Sequence, residues 1–119
     1  MFDENRRKYP RVNYPCQLTL WLADGSNETI LANTSNIGIG GLCVHLNQDI
    51  VVGTKLDIQL NFANTTTPFK CSGTVVRCNK ERERYYNLGV QFDPLNELKY
   101  AFLNGQVSEL IDLEKKGKS

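Results

Sequence analysis

Alternation of apolar and polar residues is the feature that most limits what this chain can fold into. It is clearest over residues 55–62, where four apolar residues alternate with four polar ones: Leu56, Ile58, Leu60 and Phe62 with Lys55, Asp57, Gln59 and Asn61. A period of two places one set of side chains in a core and the other in solvent, as in a half-buried antiparallel strand. Residues 16–22, 29–32, 42–46, 69–78 and 86–92 also read as strands, so the sequence predicts six strands in all.

The period changes after the sixth strand, at Asp93-Pro94. Aspartate is a favoured N-cap and proline a favoured first helical residue, so a helix is predicted to begin here. Apolar residues then recur every three or four positions as far as Leu113: Leu95, Leu98, Phe102, Leu103, Val107, Leu110 and Ile111. This spacing predicts an amphipathic helix.

Six strands followed by one helix predict an all-β fold, a small six-stranded antiparallel β-barrel, because closure of the sheet removes exposed edges. The helix is expected to cover one opening or flank of the barrel. With 119 residues the chain is predicted to form one domain. Three regions are expected: a flexible arm over residues 1–14, the barrel with its helix over 15–113, and a basic tail over 114–119. Residues 33–41 and 79–84 are predicted to be loops.

Composition excludes several functional classes. The net charge of +1 argues against a protein that contacts many nucleic-acid phosphates, so no DNA or RNA partner is expected. Apolar stretches are only as long as strands and no signal peptide is recognisable, so no membrane insertion and a cytoplasmic location are expected. The four cysteines have no C-x-x-C spacing, and we expect them to be buried thiols without a metal or other cofactor.

Two short motifs carry the functional information. Residues 7–11 form an R-x-x-x-R motif, Arg7-Lys8-Tyr9-Pro10-Arg11, and residues 33–38 form an N-x-S-x-x-G motif, Asn33-Thr34-Ser35-Asn36-Ile37-Gly38. A guanidinium group can pair with phosphate, reach guanine O6 and N7 with two hydrogen bonds, or stack on a base. Glycine permits positive φ and a close approach of the backbone to a ligand. Each motif alone also fits a solvated basic segment or an ordinary glycine-rich turn, and the two together are much more specific.

Together, and in this order, the motifs resemble those of the PilZ family of bacterial cyclic di-GMP receptors. The similarity extends over residues 6–111, since Gly73-Thr74-Val75-Val76-Arg77 and Leu88-Gly89-Val90-Gln91-Phe92 resemble later strands of the family. The resemblance implies the six-stranded barrel and cyclic di-GMP as the ligand. It also implies ligand contacts from five residues: Arg7, Arg11, Asn33, Ser35 and Gly38. A second tier of candidates comprises Arg6, Lys8, Gly40, Gly41 and Arg77, of which Arg77 also fits a solvated cross-strand residue.

The leading hypothesis is therefore a cyclic di-GMP receptor whose arm orders on binding and presents a new surface to a protein partner. A PilZ-like interaction module that does not bind nucleotide is the alternative. A barrel for single-stranded nucleic acid fits less well, because the aromatic residues mostly alternate inward. An enzyme is not expected, because the single histidine, His45, has no nucleophile and acid around it in a recognisable motif. Motility, biofilm formation and other outputs associated with such modules cannot be separated by sequence.

Overall fold

The computed structural model describes residues 11–12, 16–23, 28–62 and 65–117, with side chains described over the same ranges except at 11–12 and 114–117. Seven strands and one helix lie within these ranges. In chain order they are β1 (Arg11–Val12), β2 (Gln17–Leu22), β3 (Thr29–Gly38), β4 (Gly41–Leu46), β5 (Lys55–Asn61), β6 (Phe69–Arg82), β7 (Tyr85–Phe92) and α1 (Glu97–Gly117). The sequence Asp24-Gly25-Ser26-Asn27 predicts a turn after β2, and these four residues fall outside the described ones.

The sheet closes on itself, and this confirms the predicted barrel. Neighbouring strands pair antiparallel in the order β3-β2-β5-β6-β7-β4, and β4 pairs again with β3. The long strand β3 makes closure possible, because its first half pairs with β2 and its second half with β4. The short strand β1 adds to β3 beside this second half.

The barrel interior contains the apolar residues of the alternating pattern. On β5, Leu56, Ile58 and Leu60 are at most 1% exposed, and Phe62 just beyond the strand is also buried. Leucine and valine side chains from β2, β4 and β7 join them in one continuous core. Burying one side chain of this size contributes about 1.5–3 kcal/mol. The inward apolar side chains of the strands therefore stabilise the closed sheet together.

Two strands are longer than the sequence predicted. Residues 33–38 were predicted as part of a loop, but β3 continues to Gly38 and leaves only Ile39 and Gly40 between β3 and β4. Likewise β6 continues to Arg82, so most of the predicted charged loop is strand and only Glu83 and Arg84 turn the chain. Both segments are rich in polar residues of low strand propensity. Pairing overrides that propensity: the end of β3 lies between β1 and β4, and residues 79–82 extend the hairpin with β7.

The helix begins three residues later than predicted. Asn96 is the N-cap, because its Oδ1 accepts a hydrogen bond of 2.8 Å from the backbone N–H of Lys99. Asp93 has other partners: its N–H donates to the carbonyl of Ser72, and its carboxylate accepts from the Ser72 hydroxyl at 2.9 Å. Pro94 also disfavours helical backbone at Asp93. Asp93 therefore fixes the end of β7 to β6.

The predicted apolar stripe of the helix is only partly buried. Leu103, Val107 and Leu110 enter the core, and the Phe102 ring stacks on Phe69 with centroids 5.7 Å apart. Leu98, by contrast, is 83% exposed, which differs from the prediction. It lies in the first turn of α1, beside an open groove formed with residues 67–70. The helix covers the barrel opening at the end of β3 and contacts β1 and β3.

Asp93 provides a test of this arrangement through the pH dependence of stability. Hydrogen bonds from Ser72, Lys55 and Thr74 hold the pKa of its carboxyl below the ordinary value of 3.8, with Ser72 contributing most and burial opposing the shift. A lowered folded-state pKa stabilises the fold above the unfolded-state pKa, and this contribution is lost as the pH falls through the folded-state value. We expect Asp93→Asn to lower the free energy of unfolding by about 1–2 kcal/mol at pH 7.

The difference between Asp93→Asn and the parent protein should shrink steadily below about pH 4, the range in which the unfolded-state carboxyl is protonated. Urea denaturation at pH 7 and pH 3 measures it. Asp57→Asn is the matched control, because Asp57 is an exposed aspartate on β5. A loss of stability that is equal at both pH values would contradict the assignment.

Candidate ligand-binding surface

The second half of β3 is anchored through Thr34. Its hydroxyl accepts a hydrogen bond of 2.9 Å from the backbone N–H of Cys16, and its own N–H donates to the Cys16 carbonyl. Thr34 is 3% exposed and belongs to the interior. Because successive side chains of a strand point to opposite faces, its neighbours Asn33 and Ser35 are placed on the outer face.

A β-bulge then changes the alternation. The pairing of β3 with β4 shifts between Thr34 and Asn36, and the next buried residue is Ile37. Both residues between Thr34 and Ile37 are half-buried, so the extra residue of the bulge keeps Ser35 and Asn36 out of the core. Three polar side chains, those of Asn33, Ser35 and Asn36, therefore line the outer face of β3.

The R-x-x-x-R motif meets the second motif directly. In the β1–β3 pair, Arg11 lies opposite Gly38 and Val12 opposite Ile37. The backbone of Arg11 is thus one strand spacing, about 4.8 Å, from the last residue of N-x-S-x-x-G. The structure thus places Arg11 beside Gly38 at the end of β3, and Asn33 and Ser35 on the outer face of the same strand.

Of the two properties that glycine permits, positive φ and close backbone approach, this region uses the second. Among the described glycines, positive φ occurs at Gly53, with φ of 98°, and not at Gly38, Gly40 or Gly41. Gly38, Gly40 and Gly41 therefore do not use the positive φ that glycine permits. Close backbone approach does occur at Gly41, where an added Cβ would overlap the carbonyl oxygen of Val90 and lie 3.2 Å from the Cα of Gln91.

A row of residues connects β3 with Arg77 across the barrel wall. Asn36 pairs with Cys43 on β4, Cys43 with Gly89 on β7, and Gly89 with Arg77 on β6. Nη2 of Arg77 donates to Cys43 Sγ at 3.1 Å and to Asn87 Oδ1 at 3.0 Å. The guanidinium therefore extends across β7 as far as Cys43 on β4. The backbone of Asn36, the partner of Cys43 on β3, is one further strand spacing away, about 4.8 Å.

Several candidate residues cannot be placed. Arg6, Arg7 and Lys8 lie outside the described residues, and only the backbone of Arg11 is described. Of the second tier, Gly40 and Gly41 lie at the β3–β4 turn. Sequence reasoning missed Asn36, Cys43, Asn87 and Gly89, whose shared outer face follows from the bulge and from strand register. No local sequence pattern indicates either feature.

The remaining reactive groups have structural contacts. His45 stacks on Tyr85 with centroids 4.7 Å apart, and its Nε2 lies 3.1 Å from Asn87 Nδ2 and 3.2 Å from Glu81 Oε1. The four cysteines are thiols and not disulfides. Burial raises the pKa of the Cys71 thiol to about 12, which keeps it protonated near neutral pH.

Neither a metal cluster nor a membrane span is found in the part of the chain that the structure describes. Over these residues, His, Cys, Asp and Glu side chains nowhere form a group of three that could hold a metal ion. Helix α1, in the same described part, lacks the apolar character that crossing a membrane requires.

Comparison with known proteins identifies one family. A family model described as the PilZ domain matches residues 5–107. No curated protein sequence matches the chain closely enough to count as a relative.

Several solved structures are similar in fold. The PilZ domain of YcgR from Escherichia coli, determined with c-di-GMP, has a TM-score of 0.77 and 16% identity, over 95% of this chain and 97% of that one. The K. pneumonia MrkH–c-di-GMP complex has a TM-score of 0.76 and 19% identity, over 96% of this chain and 56% of that one. The Bacillus subtilis inhibitor of motility MotI (DgrA) has a TM-score of 0.75 and 16% identity, over 96% and 54%. This chain thus spans about half the length of MrkH and MotI.

Proposed function

This chain belongs to the PilZ family, and we propose that it is a receptor for cyclic di-GMP. The ligand binds on the outer face of the second half of β3, between β1 on one side and β4 on the other. The protein acts by ligand binding and not by catalysis. Cyclic di-GMP bound to the YcgR domain and to MrkH, which share this fold, supports the choice of ligand.

The observation that carries the proposal is the meeting of two distant motifs. Arg11 pairs with Gly38, and Asn33 and Ser35 face outward on the same strand within about 7 Å of each other. A packed core alone would not require these polar residues on the outer face of β3. Their arrangement suits a compact ligand that offers both anionic oxygens and hydrogen-bonding base edges.

Each residue has a distinct task in this proposal. Arg7 and Arg11 hold guanine and phosphate through bidentate, charge-assisted hydrogen bonds. Asn33 and Ser35 bind the guanine edge or a phosphate from the barrel surface, and Gly38 lets the arm approach β3. Arg77 adds a positive charge from the barrel wall. Arg6 and Lys8 increase the attraction for the dianion, and Gly40 and Gly41 shape the adjoining turn.

We propose that the arm transmits ligand binding to a partner protein. Binding draws residues 5–12 of the arm, which comprises residues 1–14, onto the barrel of residues 15–113, starting from the existing β1–β3 pair, and the combined surface contacts a protein partner. Helix α1 contacts β1, so the arm and the helix form one continuous surface beside the ligand. Residues 114–117 of the predicted basic tail, 114–119, belong to this helix. We place the protein in the cytoplasm, where a nucleotide messenger is available.

Titration calorimetry with cyclic di-GMP tests the proposal, with GTP and cyclic di-AMP as control ligands. We expect a dissociation constant in the micromolar range or lower for cyclic di-GMP and at least tenfold weaker binding of both controls. GTP shares the guanine but not the ring with two phosphodiester groups, and cyclic di-AMP shares that ring but not the guanine O6. No heat of binding at micromolar concentrations would favour the alternative, a PilZ-like interaction module that does not bind nucleotide.

A further inference from the structure

The guanidinium of Arg77 is held flat against the barrel wall. A Cβ added to Gly89 would lie 3.0 Å from Cζ, 3.0 Å from Nη1 and 3.1 Å from Nη2 of Arg77. Nearly equal distances to three atoms of one plane mean that this plane lies parallel to the strand surface over Gly89. Only a residue without a side chain leaves room for it.

Cys43, the partner of Gly89 on β4, is buried under the same guanidinium. Cys43 is 6% exposed although it lies outside the core cluster, between the interior residues Leu42 and Val44. The Arg77 guanidinium, 3.1 Å from Cys43 Sγ, shields it from solvent. At this point the outer surface of the barrel is therefore the Arg77 guanidinium, which lies over Gly89 and Cys43.

Asn87 fixes the direction of this plane. Its Oδ1 accepts a hydrogen bond of 3.0 Å from Nη2 of Arg77, which leaves its Nδ2 to face Nε2 of His45 at 3.1 Å. The His45 ring is held in turn by its stacking on Tyr85, with an interplanar angle of 8°. Arg77 thus ends a chain of contacts that starts at a stacked aromatic pair.

The charge of Arg77 remains available to a ligand. Within the described ranges no carboxylate pairs with Arg77, and both of its hydrogen bonds use Nη2. Nη1 and Nε therefore keep N–H donors for an incoming group. An arginine that is already held in place loses less conformational freedom on binding than one that is free in solvent.

We propose that Asn87 is a positioning residue for the ligand: it holds the Arg77 guanidinium over Gly89, ready for a phosphate or guanine edge of cyclic di-GMP lying on β3 and β4. This inference rests on the proposed function and deepens it, because it adds a cationic group that is already positioned on the side of the ligand opposite the arm. Asn87 itself does not touch the ligand. Its effect on affinity passes through Arg77.

A double-mutant cycle measured by calorimetry tests the proposal. We expect Arg77→Met to weaken cyclic di-GMP binding about tenfold and Asn87→Ala about fivefold, the ranges for losing a charged contact and its preorganisation. In the Arg77→Met background, Asn87→Ala should cause no further loss. Asn79→Ala, which changes an exposed asparagine directly opposite Asn87 on β6, is the matched control and should bind like the parent.

Gly89→Ala is a second, independent test of the proposal. The added methyl group displaces the flexible guanidinium without removing any polar group, so affinity should fall about as much as in Asn87→Ala, while the melting temperature changes little. An Asn87→Ala effect that persists in the Arg77→Met background would overturn the positioning role. Unchanged binding in all these variants, with Arg11→Ala still impaired, would overturn this inference alone. No binding by the parent protein would overturn both this inference and the proposed function.

Discussion

Replacing Arg11 with alanine is expected to weaken cyclic di-GMP binding by about a hundredfold. A bidentate, charge-assisted pair with phosphate or guanine contributes about 2–3 kcal/mol, and 1.4 kcal/mol corresponds to a tenfold change in affinity. Arg7→Ala should cause a loss of similar size, because the two arginines of the motif act on the same ligand from one arm. Titration calorimetry at constant ionic strength measures both effects.

Lys70→Ala is the control for the loss of one positive charge. Lys70 is exposed on β6 beside the helix groove, away from β3, so this variant should retain parent affinity within a factor of about two, as expected for a screened surface charge. Melting temperatures of all three variants should match the parent. If Arg7→Ala and Arg11→Ala bind as tightly as Lys70→Ala, the arm does not hold the ligand.

Gly41→Ala is expected to lower the free energy of unfolding by about 3 kcal/mol or more, the upper range for added atoms that cannot be accommodated. The new Cβ would overlap the carbonyl oxygen of Val90, a backbone atom of β7. Relief requires β4 and β7 to separate, and their pairing is one of those that close the barrel. Urea denaturation monitored by circular dichroism measures the loss.

Gly105→Ala is the matched control, since it makes the same chemical change where no atom lies within 4 Å of the added Cβ. Because Gly105 is in the interior of α1, alanine should raise stability by about 1 kcal/mol through its helix propensity. The two Gly-to-Ala substitutions should therefore act in opposite directions. Equal midpoints for Gly41→Ala and the parent would show that the β4–β7 contact is not as close as described.

Local pattern was sufficient to predict most of the fold. On β5 the alternation from Leu56 to Phe62 predicted which side chains are buried, because period two and one-sided burial are properties of a single strand. The helix was also predicted, but its first residue was not. Asn96 and Asp93 are both good caps, and only the contact of Asp93 with Ser72 on a distant strand decides between them.

The proposed ligand surface was predicted less completely, because it depends on pairings between distant segments. Asn33 and Ser35 were found through the motif resemblance, whereas Asn36 joins them only because of the bulge in β3. Arg77 was among the candidates, but its reach to Cys43 spans 34 residues of sequence and requires the register of three strands. Asn87 and Gly89 matter through that register alone.

A crystal structure of the protein grown with cyclic di-GMP tests whether this ligand binds on β3. We expect the ligand on the outer face of β3, in contact with Asn33, Ser35 and the Arg11 side chain. The Arg77 guanidinium should still lie over Gly89. Ligand density at another part of the barrel, or an unoccupied β3 face at saturating ligand, would contradict the proposed site.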